Sequence, residues 1–205
     1  MKAKKIIILN AARELFNNHG YDNVTIRMIA VHLKMSSGNL NYHYKKREDI
    51  LESLYFEMVS EFDARVDDLP KMEVSIKQIS EDVEKSMKRM QAYVFFWTDL
   101  YNLLSLNEKV STHFHTVYKK RIQGCFWLFK EMREKKILQI PSFPGEDNYL
   151  AEKMLHYGNT WLYGSKLYSH EKNIDHYVKS YIHILYPYLT EKGKNECKIL
   201  WPGFY

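Results

Sequence analysis

The chain has 205 residues, of which 45% are hydrophobic and 27% charged, and it contains only two cysteines; this composition excludes a wholly disordered chain and a disulfide-stabilised scaffold. The net charge of +5 is uneven: residues 1–47 carry nine Lys and Arg against two acids, a net +7, and residues 48–205 carry 21 against 23, a net −2. A basic excess at one end is typical of a nucleic-acid-binding surface, although Lys2, Lys4 and Lys5 alone would also suit a solubilising tail.

Motifs for metal binding and catalysis are absent from the sequence. There is no HExxH, CxxC or Gly-rich phosphate loop, and the nine histidines form no metal-ligand pattern. No stretch reaches the roughly 18 consecutive apolar residues of a membrane helix, and polar residues after Leu9 end the first apolar run too early for a signal peptide. We therefore expect a cytoplasmic protein that is not an enzyme and holds no cofactor or metal.

Helical patterns run through most of the chain, and with only eight glycines and five prolines the sequence predicts an all-α fold. Gly20 fits the left-handed position that ends a first helix, while Thr25 and Ser36 are suitable N-caps for the second and third. A fourth helix ends before the break at Asp67–Pro70. The tail after Gly193 is expected to be less regular. The predicted helices span residues 6–19, 26–33, 37–43, 46–66, 72–90, 92–105, 107–136, 147–168 and 173–189.

Two short helices joined by a tight turn, at 26–33 and 37–43, form the pattern of a helix-turn-helix motif. Leu40 and Tyr44 are expected to point inward from the helix at 37–43, which leaves Ser37, Asn39 and Tyr42 on its outward face. Gly38 lacks a side chain near the start of that helix, so the backbone there can approach DNA closely. Asparagine can pair bidentately with adenine, and serine hydroxyls serve either bases or phosphates.

Residues 6–55 resemble the TetR/AcrR family of bacterial transcriptional regulators. With the break at Asp67–Pro70, the resemblance implies a three-helix helix-turn-helix domain over residues 1–47 with a connecting helix over 46–66, and a larger helical domain over 67–205 for ligand binding and dimerisation. The matching residues are Ile8, Leu9, Ala11, Ala12, Leu15, Phe16, Gly20, Tyr21, Thr25, Ile29, Ala30, Ser36, Gly38, Leu40, His43, Tyr44, Glu48, Asp49, Ile50 and Leu51.

In this family, a Tyr-His pair and the basic residue after it hold DNA phosphates. The matching groups are Tyr42 or His43, together with Lys46 and Arg47. With the caps and the other polar and basic residues of the motif, the candidate DNA-binding residues are Thr25, Arg27, Lys34, Ser36, Ser37, Gly38, Asn39, Asn41, Tyr42, His43, Lys46 and Arg47.

Two positions depart from the family pattern. Lys34 occupies a turn position that is often glycine, and a left-handed backbone there would cost about 1 kcal/mol, which attraction to phosphate would offset. Asn41 stands where the family commonly has tyrosine, so the choice between Tyr42 and His43 as the phosphate ligand stays open.

Aromatic residues are concentrated in the C-terminal part. Core packing is their ordinary role, whereas the faces of Trp and Tyr can also bind a flat apolar or cationic ligand. Asp99 is either a surface ion-pair partner or the counter-charge of a cationic ligand. The candidate ligand-binding residues are Phe96, Trp97, Asp99, Tyr101, Trp127 and Trp161.

The predicted helices at 147–168 and 173–189 occupy the position of the family's dimer interface, a bundle of two helices from each subunit. We therefore expect a homodimeric repressor that binds an inverted-repeat operator in double-stranded DNA and is released by a small apolar, aromatic or cationic ligand. Two alternatives stay open. One is a regulator of this fold that is controlled by a protein partner, and the other is a helical enzyme anchored to DNA by its N-terminal module.

Overall fold

The computed structural model describes residues 2–66, 73–168 and 173–203, and these are folded mainly as α-helices, which confirms the all-α prediction. Within these ranges, no helix is long and apolar enough to cross a membrane. A 3₁₀ turn, Tyr186–Tyr188, follows the tenth helix. The α-helices are α1 Lys2–His19, α2 Ile26–His32, α3 Ser37–His43, α4 Arg47–Val66, α5 Ile76–Gln91, α6 Val94–Thr98, α7 Leu100–Leu106, α8 Glu108–Glu134, α9 Glu146–Tyr168, α10 Ile174–Leu185 and α11 Glu191–Leu200.

Contacts divide the described residues into two units. Residues 2–66 and 92–113 form the first, and residues 73–91, 114–168 and 173–203 form the second. Residues 92–113 thus pack with the N-terminal helices, whereas the predicted boundary placed them in the C-terminal domain. The predicted break at Asp67–Pro70 lies outside the described residues.

Helices α1, α3 and α4 all contribute to the core of the first unit. Ile8 and Phe16 of α1, Leu40 of α3 and Leu54 of α4 are fully buried. Gly20 ends α1 in the left-handed conformation as expected, with a φ of +80° and an N–H that donates to the Phe16 carbonyl oxygen at 2.9 Å. The apolar spacing of these helices therefore fixes which side each of them turns to the core.

Asn17 attaches the start of α6 to α1. Its Nδ2 donates to the carbonyl oxygen of Ala92 at 2.9 Å, and its Oδ1 accepts from the N–H of Phe95 at 3.1 Å. One side chain thus satisfies two backbone groups, one just before and one within a short helix that has no side-chain N-cap of its own.

Tyr93 adds a second attachment through a polar network with α1 and α4. Its hydroxyl donates to Glu57 Oε1 at 3.0 Å and accepts from the Arg13 guanidinium at 3.1 Å, while Arg13 also pairs with Glu57 at 3.3 Å. Burial and the Glu57 carboxylate raise the pKa of Tyr93 to about 12, so the hydroxyl keeps its proton at neutral pH.

In the second unit, α10 packs against α5 and α9. Ile182 and Leu185 of α10 are fully buried together with Phe129 and Met132 of α8. This core has the close-packed apolar character of an ordinary helical bundle.

A helix forms where the sequence analysis expected an irregular tail. Thr190 caps α11 by accepting from the N–H of Gly193 at 3.3 Å, and Cys197 is fully buried in the core of the second unit. Gly193 lies so close to the preceding loop that a Cβ atom there would stand 2.5 Å from the carbonyl oxygen of Ile137. Contacts with the rest of the unit therefore stabilise this helix, and its sequence has no clear helical spacing of apolar residues.

One predicted helix is divided in the structure, and another ends before its predicted limit. The segment 92–105 is divided into α6 and α7 at Asp99, whose φ of −131° and ψ of 30° are not helical. The helix predicted over 173–189 ends at Leu185, because Pro187 lacks an N–H and its ring clashes with the preceding turn of an α-helix.

Candidate nucleic-acid interface

The turn between α2 and α3 is fixed by local hydrogen bonds. Thr25 and Ser36 are the predicted N-caps: their hydroxyl oxygens accept from the N–H groups of Met28 at 3.2 Å and Asn39 at 3.1 Å. Lys34 has a φ of +53°, and its N–H donates to the Val31 carbonyl oxygen at 3.0 Å. The non-glycine residue at this turn does adopt the left-handed backbone that the sequence analysis considered.

Helix α3 is anchored by one side and presents the other to solvent. Leu40 is fully buried, and Tyr44, just after the helix, is 5% exposed, as predicted. At 100° per residue, Gly38 and Tyr42 lie opposite Leu40. The surface that they form, called the outward face below, consists of the exposed residues Gly38, Asn39, Asn41 and Tyr42.

Tyr42 is the most prominent side chain of this face, with 76% of its surface exposed. Its ring meets the half-buried ring of His43 edge-on, with centroids 5.3 Å apart. Ser37 is also half-buried. The structure therefore separates the two candidates for a phosphate contact: Tyr42 projects away from the unit, and His43 lies at its edge.

Nothing within the described part of the chain requires a glycine at position 38. A Cβ atom there would meet only the Ser36 hydroxyl, at 4.0 Å, and the backbone is not in the left-handed region. A small residue with free space around it is expected where another molecule approaches the backbone.

Exposed cations surround the motif. Arg27 lies on α2, Lys34 in the turn, and Lys45 and Lys46 between α3 and α4; all four are exposed. The Lys46 backbone N–H donates to the Asp49 carboxylate at 3.1 Å, which leaves its ammonium group out of this cap. These charges can attract phosphates from positions beside the outward face.

Arg47 is placed differently from what the sequence analysis expected. Its guanidinium donates to the carbonyl oxygens of Tyr21 at 2.8 Å, Asp22 at 3.2 Å and Val24 at 3.0 Å, and it stacks on the Tyr21 ring at 4.0 Å. It also pairs with the Asp22 carboxylate at 3.6 Å. Because these bonds tie α4 to the loop before α2, Arg47 has a role in folding, and its phosphate contact stays a prediction.

Lys5 is a further cation near the motif that is not among the candidate residues predicted from the sequence. Its ammonium nitrogen lies 5.5 Å from the centre of the Tyr44 ring, so this cation stands beside the end of α3. The lysines at positions 2, 4 and 5 could have indicated this cation from the sequence, but they also suited a solubilising tail.

The candidate ligand-binding residues divide between the two units. In the first, Phe96 and Trp97 are buried and meet edge-on at 5.5 Å, whereas Tyr101 is 87% exposed. Asp99 is half-buried and accepts from Asn102 Nδ2 at 2.6 Å. Over the described ranges, the indole N–H of Trp97 is buried without a hydrogen-bond acceptor.

Trp127 and Trp161 belong to the second unit. Trp127 is half-buried against the core, and Trp161 donates to the Met90 sulfur at 3.3 Å and packs on Tyr177 at 5.0 Å. A cavity of about 120 Å³ lies elsewhere in this unit, beside Arg133 and Leu150. Its volume is below the roughly 300–1,000 Å³ of ordinary ligand sites.

Two family models match the chain. Residues 8–54 match the one described as "Bacterial regulatory proteins, tetR family", and residues 57–197 match TetR, "Bacterial transcriptional repressor". Among curated proteins, the HTH-type transcriptional regulator QacR of Staphylococcus aureus is 28% identical over 131 residues, which cover 60% of this chain and 68% of QacR.

Solved structures share the fold over more than nine-tenths of the chain. A TetR-family transcriptional regulator from Marinobacter aquaeolei VT8 has a TM-score of 0.86 at 22% identity, covering 95% of this chain and 96% of its own. A transcriptional regulator from Saccharomonospora viridis, in complex with choline, has a TM-score of 0.74 at 18% identity, and the match covers 93% of this chain and 100% of that protein's chain.

The first family model covers the helix-turn-helix with its capped helices, and the second covers more than half of the chain. With the exposed face of α3 and the cations around it, these matches agree on one assignment. The chain belongs to the TetR family of bacterial transcriptional regulators.

Proposed function

We propose that this regulator is a homodimeric repressor that binds an inverted-repeat operator through α3 and is released by a small molecule. The observation that carries the DNA-binding part is the outward face of α3, which exposes Asn39 and Asn41 on either side of Gly38 and Tyr42, while Leu40 is buried on the other side of the helix. Amide side chains on an exposed recognition helix can read base edges in the major groove. Such a protein acts in the bacterial cytoplasm by binding, without catalysis.

The surrounding groups hold the DNA backbone in this proposal. Arg27, Lys34 and Lys46 are exposed cations beside the outward face, and His43 lies at its edge. Phosphate contacts position a protein on the duplex without reading sequence. The hydroxyl oxygens of Thr25 and Ser36 accept hydrogen bonds as caps, which holds α2 and α3 in place and leaves each O–H able to donate to a phosphate.

Dimerisation would use α9 and α10. The outer stripe of α9 carries the exposed residues His156, Thr160, Tyr163 and Leu167, which are three or four positions apart and so share one side of the helix. A twofold dimer presents two copies of α3, and their symmetry matches that of an inverted repeat.

The ligand response is supported by the buried Trp97 indole, whose N–H finds no acceptor among the described residues. A buried unsatisfied donor is costly and calls for an explanation, which a bound ligand would supply. A ligand that contributed an acceptor to Trp97 would favour the conformation in which it binds, and would lower operator affinity if that conformation spaces the two copies of α3 wrongly.

The second candidate is a regulator of this family that is controlled by a protein partner. The cavity beside Arg133 and Leu150, at about 120 Å³, is smaller than an ordinary ligand site and so gives the ligand response no support. A partner would act on an exposed surface and would need no enclosed site.

Capture of genomic DNA fragments tests the proposal. The purified protein is mixed with fragments of its own genome, with and without the small-molecule fraction or the protein fraction of a cell extract. We expect enrichment of a few fragments that contain an inverted repeat, and their release by the small-molecule fraction. Release by the protein fraction alone would support the second candidate. Capture of all fragments in equal measure would contradict operator recognition.

A further inference from the structure

The residues of α3 are Ser37, Gly38, Asn39, Leu40, Asn41, Tyr42 and His43. Those on the outward face bear two carboxamides, one phenol ring and one position without a side chain. The exposed cations Arg27, Lys34, Lys45 and Lys46 stand on other elements around it. The exposed amides and the exposed cations therefore belong to different elements.

The two amides flank the centre of this face. Viewed along α3, Gly38 and Tyr42 lie in nearly the same direction, with Asn39 to one side of it and Asn41 to the other. Within the described residues, no hydrogen bond occupies the carboxamide of either side chain; the bond recorded for Asn39 is made by its backbone N–H. Both amides are thus available, with one donor and one acceptor each, for a bidentate contact.

The chemistry of these groups favours one base pair. A carboxamide matches the N6 donor and N7 acceptor of adenine, whereas guanine is read by the paired donors of Arg or Lys. The apolar face of an aromatic ring suits the methyl group of thymine. Tyr42, which is 76% exposed, projects such a ring between the two amides.

We infer that the operator half-site read by α3 is a core of about three consecutive A·T pairs, in which Asn39 and Asn41 contact adenines and Tyr42 contacts a thymine methyl group. This inference rests on the proposed function. It assigns Tyr42 to base reading, and leaves phosphate binding to His43 and the flanking cations.

Selection from random double-stranded DNA tests the inference with the intact dimeric protein. We expect the enriched inverted repeat to contain A·T pairs at the centre of each half-site. Enrichment of a repeat with G·C pairs there would overturn the inference and leave the proposed function standing. A pool in which no sequence is enriched would overturn the proposed function itself.

Base analogues then assign each contact. Replacing a core adenine by 7-deazaadenine removes N7, and should weaken binding by wild-type protein about 10- to 100-fold. It should leave unchanged the binding of the one variant, Asn39→Ala or Asn41→Ala, that lacks the amide reading that adenine. Replacing a core thymine by uracil removes the methyl group. This should lower the DNA affinity of wild type about fourfold and leave the affinity of Tyr42→Ala unchanged.

The Lys46→Ala variant is the matched control, because loss of a phosphate contact weakens natural and substituted duplexes by the same factor. Circular dichroism of each variant establishes that it is folded. If the analogue and the matching alanine variant lower the affinity independently, so that their effects multiply, the assigned contact is wrong.

Discussion

At the scale of single residues, Gly38 separates what folding requires from what DNA binding requires. Its surroundings leave room for a methyl group, and alanine is the better helix former. Gly38→Ala should therefore leave the free energy of unfolding unchanged or raise it by up to about 1 kcal/mol. Operator affinity should fall at least about tenfold, because the methyl group stands between the backbone and the groove. Urea unfolding and fluorescence anisotropy with labelled operator measure the two effects.

Gly124→Ala is the matched control for this prediction. Gly124 lies inside α8, and a Cβ atom there would meet nothing within 4 Å. The control should gain similar stability and keep its affinity for the operator. An affinity of Gly38→Ala equal to that of wild type would show that the backbone of α3 does not come close to the DNA.

Adjacent basic residues, Lys46 and Arg47, should give opposite results. Arg47→Ala leaves three carbonyl oxygens without their donor, and should lower the free energy of unfolding by about 1–3 kcal/mol. Lys46→Ala should keep that stability, weaken binding to all DNA sequences alike and reduce the slope of log affinity against log salt by about one. Unfolding curves and salt titrations of both variants check this, and a normal stability of Arg47→Ala would contradict it.

The sequence could not distinguish these two residues. Both are basic and follow the same helix, and only the folded chain brings the carbonyl groups of residues 21–24 to Arg47. By contrast, Gly20, Thr25 and Ser36 were predictable, because caps depend on hydrogen bonds between residues that are close in sequence.

At the scale of elements, α11 depends on one close approach. A methyl group at Gly193 would clash with the Ile137 carbonyl oxygen, which belongs to the backbone and cannot rotate away. Gly193→Ala should therefore lower the free energy of unfolding by about 1–3 kcal/mol, as overpacking does. Thermal unfolding checks the prediction, again with Gly124→Ala as the control for a helical glycine that has space. Equal melting temperatures of wild type and Gly193→Ala would show that α11 can move aside without loss.

The spacing of apolar residues does not predict this helix. The residues of α11, Glu191–Leu200, include three lysines and a glycine and have only Cys197, Ile199 and Leu200 as larger apolar residues. Their helical conformation comes from Thr190 at the cap and from burial of Cys197 against distant helices. Long amphipathic helices such as α5 were predicted, because their apolar spacing is visible without knowledge of the fold.

At the scale of the whole molecule, the proposed dimer can be tested on the outer stripe of α9. Leu167 is 53% exposed within one chain, whereas Leu162 is 5% exposed, so a charge at Leu162 would disturb the core of the subunit itself. Leu167→Arg should give a folded monomer by light scattering, since an unpaired charge in an interface is costly. Operator affinity should fall with it, because two linked copies of α3 bind an inverted repeat more tightly than one.

Ile199→Arg provides the comparison, since Ile199 is 79% exposed on α11 and lies outside the proposed interface. This variant should stay dimeric and keep its operator affinity. If Leu167→Arg is still dimeric at micromolar concentration, the interface does not include this end of α9.

The attachment of α6 to α1 and α4 bears on how such regulators can be recombined. Asn17 binds the backbone at Ala92 and Phe95, and Tyr93 joins Arg13 and Glu57, so residues 92–113 complete the unit that contains the helix-turn-helix. A chimaera that joins residues 1–66 to the remainder of another regulator would lose these bonds and expose the apolar surface that Phe95 and Phe96 cover. The transferable module is therefore discontinuous in sequence, and a graft that keeps its own operator must carry residues 92–113 along with the N-terminal helices.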